Sequence, residues 1–92
     1  MMTKNEILEK VNNYLEKENI IPIKDSIKYM GVRENVKQID GIEISIHAIS
    51  YQVQIDDQNP YSIVDNFIDI DVKTNKLLSI TTPHFYKKID DK

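Results

Sequence analysis

The side chains in this sequence that could do chemistry are few: two histidines, His47 and His84, and a series of aspartates in the second half of the chain. The histidines are far apart, with neither a His-x-x-x-His pair nor a glutamate at helical spacing beside them, so they do not have the form of a zinc site. His47 falls on the polar side of an alternating segment and reads as an exposed or cross-strand-paired histidine. His84 follows Pro83 and reads as a surface residue. Asp69-x-Asp71-x-Lys73-Thr74-Asn75 begins like a calcium loop, but Lys73 stands where an oxygen ligand is needed. Thr74 replaces the turn glycine, and Ile80 stands where the closing glutamate belongs. Asp69 and Asp71 could act as the paired carboxylates of a hydrolase only in a cleft that shifts their pKa values; on an open strand they read as solvated. With two glycines, Gly31 and Gly41, there is no phosphate-cradling loop, and without cysteine there is neither a thiolate nucleophile nor a disulfide. The expectation is therefore a protein that is not an enzyme, with no catalytic residue, no metal and no cofactor.

Charge distribution carries more information than any motif. Twelve basic residues against fifteen acidic ones leave a net charge of -3, which lacks the basic footprint of direct nucleic-acid binding. The first thirty residues balance and the last twenty are net basic, but positions 56–72 hold Asp56, Asp57, Asp65, Asp69 and Asp71 with no base among them. Tyr61 and Phe67 lie inside the same block, and aromatic residues beside charge are the composition of interface anchors. These seven residues are the candidate partner-binding set, and the partner expected is a protein, a basic one being the candidate that an acidic sheet face would draw.

The elements that position them can be read from periodicity. Thr3 with Glu6 has the form of a capping box, and Ile7, Leu8, Val11, Tyr14 and Leu15 recur on one face, which predicts a helix over about 3–18 that Asn19 and Pro22 end. Positions 23–34 are open between strand and helix. Asp25 as a cap and Gly31 as a stop favour a short helical turn. Asp40-Gly41 between two apolar runs predicts a hairpin with a type I′ turn, joining strands at about 35–39 and 42–55. The apolar set within 42–55 changes phase at Ala48-Ile49, which predicts a long strand bent at a bulge. A loop follows at 56–60. A second hairpin turns at Asn75, a left-handed position, between strands at about 66–72 and 77–82, and the tail after Pro83 is expected to fray. The result is one α+β domain over 1–92, a helix packed on an antiparallel sheet of about four strands.

Ninety-two residues suffice for one core and no more. There is neither a basic stretch leading into an apolar run at the N-terminus nor an apolar segment of about twenty residues, so a cytoplasmic protein without membrane association is expected. The richness in isoleucine and lysine points to an AT-rich bacterial or phage genome.

The run Phe67-Ile68-Asp69-Ile70-Asp71-Val72-Lys73-Thr74-Asn75-Lys76-Leu77-Leu78-Ser79-Ile80 resembles the hairpin of PepSY-type small domains, in which an alternating strand ends in Asp-x-x-Thr-Gly-Lys; here Asn75 replaces the glycine. A similar hairpin occurs in cystatin-like folds and in small bacterial immunity proteins. The resemblance implies a small α+β domain that restrains a protein partner, although PepSY domains are typically extracytoplasmic, and it assigns no functional residue. The function expected is a small non-enzymatic protein-binding module of inhibitor or immunity type. The alternative is a structural or assembly protein that forms a homo-oligomer or pairs through a strand edge.

Overall fold

The computed structural model describes residues 3–38, 40–56, 58–83 and 85–89. Thr3 opens helix α1, Lys4–Lys17: its Oγ1 accepts the Glu6 N–H at 3.2 Å, and Glu6 Oε1 accepts the Thr3 N–H at 3.1 Å. The capping box thus satisfies two donors that the first turn leaves free. The Thr3 backbone N–H also holds the Glu6 carboxyl below its ordinary pKa. At the other end Asn19 adopts a left-handed φ of 58°, and its N–H reaches Glu16 O while the Ile20 N–H reaches Leu15 O. This is a Schellman closure, and it turns Ile20 back onto the core.

Five strands follow, β1 Lys28–Lys37, β2 Glu43–Gln54, β3 Ile63–Asp71, β4 Leu77–Thr81 and β5 Tyr86–Lys88, in an antiparallel meander of spatial order β1-β2-β3-β4-β5. Ile7, Val11 and Leu15, one helical turn apart, are at most 1% exposed and meet Ile49, Tyr51, Ile68, Ile70, Leu77, Ile80 and Ile89 from the sheet. Each such side chain contributes about 1.5–3 kcal/mol by leaving water, and together they hold α1 on one face of the sheet.

The structure departs from the sequence expectations at several points. Residues 28–34 are strand rather than a helical turn. Asp25 is left-handed (φ 62°) in a tight turn instead of capping a helix. Before β1, the Ile23 N–H donates to Gln52 O and Ser26 Oγ accepts the Gln52 N–H, so the connection is pinned to β2 by backbone groups that periodicity does not report. Met30 is the extra residue of a bulge between Tyr29 and Gly31, and a second shift lies between Arg33 and Val36. Gly31 (φ 101°) and Asn35 (φ 56°) supply the left-handed conformations there, which explains why the segment does not alternate cleanly.

The first hairpin exists, but its turn is not the two-residue type I′ form. Lys37 pairs with Glu43, the Gln38 N–H donates to Ile42 O, and the Gly41 N–H donates to Gln38 O, so the closing pair is Gln38 with Ile42 rather than the two neighbours of Asp40-Gly41, and Gly41 (φ 87°) supplies a left-handed conformation. Ile39, expected at the end of the first strand, lies outside the described residues. The phase change in β2 is not a bulge in β2 either, since pairing with β3 is unbroken from Ile46↔Asp71 to Gln54↔Ile63. Ile46, His47, Ala48 and Ile49 are all buried, so both faces are covered at mid-strand and both apolar sets coexist.

The second hairpin turns at Asn75 (φ 61°), as expected, with Asp71 Oδ1 accepting the Lys73 and Thr74 N–H groups at 2.7 and 3.3 Å. After Pro83 the chain adds a fifth strand in place of a frayed tail. Ile80 pairs with Lys87, the Ile89 N–H donates to Leu78 O, and Ile89 enters the core at 9% exposure. Ile68 is fully buried within the same core. Truncating it to alanine is expected to cost about 2–5 kcal/mol in urea unfolding, whereas Ile42→Ala at a 60% exposed position should cost well under about 1 kcal/mol.

Candidate functional site

Register partners project to the same side of a sheet, so the face opposite α1 can be read from the ladder. It carries Ile63, Asp65, Phe67, Asp69 and Asp71 from β3, and Ile46, Ala48, Ser50 and Gln52 from β2. Ser79 and Thr81 join them from β4, Tyr86 and Lys88 from β5, and Lys28 and Arg33 from β1. Among the described residues no helix covers this side, yet Ile46 and Ala48 are only 3% exposed. The cause is curvature. Gln38, Ile42 and Ile44 from the first hairpin line a depression of about 340 Å³ together with Leu78, Tyr86 and Lys88, although β3 separates the two groups in the sheet. A second hollow, of about 260 Å³, is lined by Arg33, Ala48, Phe67, Asp69 and Thr81. The open face is therefore a curled surface with two hollows, not a flat solvated plane.

Of the seven candidate residues, four meet on this face: Asp65, Phe67, Asp69 and Asp71 at alternate positions of β3. Asp56 and Tyr61 lie instead in the loop beyond the Gln54↔Ile63 pair. There Asp56 Oδ1 accepts the Gln58 N–H, and Tyr61 is 91% exposed. Asp57 lies outside the described residues. The acids on the face are also not equivalent. Asp71 is engaged by its own turn, and Asp65 accepts a hydrogen bond from Gln52 Nε2 at 3.0 Å. Asp69 is half-buried, and burial pushes its carboxyl above the ordinary pKa against the opposing pull of the Arg33 guanidinium and the neighbouring Ser79 hydroxyl. Lys28, Arg33 and Lys88 flank the β3 column, so the acidic charge is concentrated along one strand rather than spread over the face.

His47 is not exposed. It projects to the α1 side at 2% exposure, with Nδ1 2.9 Å from the Tyr29 hydroxyl of the neighbouring strand and Nε2 buried without a partner. The cross-strand partner expected for it is present, but the ring has no access to a solute. Burial lowers its pKa. His84 lies outside the described residues. Among the described residues no group of three or more His, Cys, Asp or Glu is placed to hold a metal ion, and no helix is long and apolar enough to cross a membrane.

Sequence reasoning missed a second concavity. A groove of about 630 Å³ runs from the C-terminal end of α1 across the ends of β2 and β3 to the β4–β5 connection, with Ile21, Ile55 and Phe85 exposed along it at 86%, 59% and 57%. Its floor includes Tyr51, Val53, Val64 and Asn66, and its rim carries Glu18 and Lys87. The signals available in the sequence are the apolar pair Ile20-Ile21 before Pro22 and Ile55 just after β2. Periodicity cannot say that three separate connections converge.

Two pH effects follow, with opposite signs. Because the folded pKa of His47 is depressed, the unfolded chain binds the extra proton, so the melting temperature should fall as pH drops below about 6.5, and His47→Gln should flatten that slope. Because the folded pKa of Asp69 is raised, its charge costs stability at neutral pH. Asp69→Asn should raise the melting temperature at pH 7, with the gain shrinking as pH falls through the carboxylate range; an unchanged or lowered value would contradict that cost. No family model matches the chain, and neither a curated protein nor a solved structure matches it.

Proposed function

We propose that this chain is a small non-enzymatic protein-binding module, of inhibitor or immunity type, that engages a basic protein partner through the open sheet face. The observation that carries the reading is the β3 column. Phe67, 39% exposed, stands between Asp65 and the half-buried Asp69, beside a hollow that can receive a side chain. An aromatic anchor next to a partly desolvated carboxylate is the arrangement in which a few residues hold most of the binding energy, here by stacking on and pairing with a lysine or arginine. The lysines and arginine at the margins restrict which partners fit, because a uniformly basic surface would meet them with like charge.

A non-catalytic role is supported by the state of the groups that could have acted. His47 is sealed from solvent, and the carboxylate of Asp71 is bonded into its turn. The edges argue against strand addition as the main mode of association. β1 is bulged twice and carries Lys28, Arg33 and Lys37 along its ten residues, while β5 has three residues, two of them lysine. Bulges, charge and shortness are features that discourage edge pairing.

The test is affinity capture with the native chain beside Asp65→Lys and Phe67→Ser, two exposed changes expected to leave the melting temperature within a few degrees of native. One protein retained by the native bait, released by raised salt and lost by both variants is the expected result. Retention by both variants would remove the open face from the reading, and a salt-independent complex would remove its acids.

A further inference from the structure

The groove at the C-terminal end of α1 is separate from the open face, since Val53, Val64, Asn66 and Ile80 project from the α1 side of the sheet. Its volume of about 630 Å³ is within the range of small-molecule sites. The lining is mainly aliphatic and aromatic with a few polar groups, and large apolar side chains stay exposed along it at a cost that covering would remove.

Two charges stand on the rim, and they differ in what they already do. The carboxylate of Glu18 faces the hydroxyl of Tyr14, one turn earlier on α1. Lys87 pairs with Ile80 across the β4–β5 ladder and so projects to the groove side. Among the described residues its ammonium makes neither a hydrogen bond nor an ion pair. Among the described residues, the groove therefore offers an apolar trough with the uncommitted Lys87 ammonium on its rim.

We propose that this groove binds an amphipathic carboxylate, a free molecule with a medium-length apolar chain, the chain lying along Ile21, Val53, Ile55 and Phe85 and the carboxylate meeting Lys87. The trough supplies affinity through burial of the chain, about 0.8 kcal/mol per methylene removed from water. The Lys87 charge supplies the choice of head group, and the Glu18 side of the rim disfavours a head placed the other way round. This site is independent of the open sheet face and stands or falls without it.

The experiment is an NMR titration of the isotope-labelled full chain with octanoate below its micellar concentration, beside 1-octanol, which has the same chain length without the charge. Saturable shifts at the Ile21, Val53, Ile55 and Phe85 amides are expected, with octanoate about fivefold tighter than octanol. Lys87→Glu, an exposed change, should abolish that preference while leaving the melting temperature and the weaker octanol binding in place. Ile55→Glu should weaken both ligands. Equal affinity of the two ligands, an unaltered preference in Lys87→Glu, or shifts absent from the groove would each overturn the assignment. Groove shifts that depend on protein concentration alone would give the groove to a second copy of the chain, and cosedimentation with anionic vesicles would give it to a membrane surface. Either result would also overturn the assignment.

Discussion

One helix can cover only one face of a five-stranded sheet, and the contact of Ile7, Val11 and Leu15 with Ile49, Ile68 and Ile70 determines which face that is. Among the described residues there is no second helix to cover the other side. The sheet answers by curling. The first hairpin and the β4–β5 pair line one depression over the uncovered face, and Ile46 and Ala48 are buried there without a second helical layer among the described residues. Curvature of this kind needs extra residues on an edge strand, and the two irregularities of β1 at Met30 and at Glu34-Asn35 provide them.

The same curvature gives the aspartates different characters. Asp65 near the margin is exposed, Asp71 closes a turn, and Asp69 is drawn into the hollow beside Phe67. The groove at the end of α1 comes from the same architecture. The Schellman closure at Asn19 sends Ile20 into the core and leaves Ile21 outside, and the β4–β5 connection places Phe85 opposite it.

Sequence and structure agree best where the signal is local. Thr3 with Glu6, the apolar stripe of α1, Asn19 as the end of the helix, Asn75 as a left-handed residue, and the alternation of β3 act through interactions within a few residues, and each is present. Agreement fails where tertiary contacts decide. Residues 28–34 form a strand because β2 offers partners for them, despite Asp25 and Gly31. Residues 86–88 form a strand because β4 has a free edge, and Ile89 is buried beneath it. His47, polar by alternation, is buried because α1 covers its side of β2 while Tyr29 supplies a hydrogen bond.

By itself, then, the sequence determined the α+β class, the N-terminal helix with both of its ends, the two hairpins, and the acidic, aromatic character of positions 56–72, because capping, turn chemistry and two-residue alternation are properties of short segments. Only the tertiary structure decided the fifth strand, the curl, the separation of Asp56 and Tyr61 from Asp65, Phe67 and Asp69, and the groove between α1 and the strand ends. Those features depend on which distant segments meet, and no window of the chain contains both sides of such a contact.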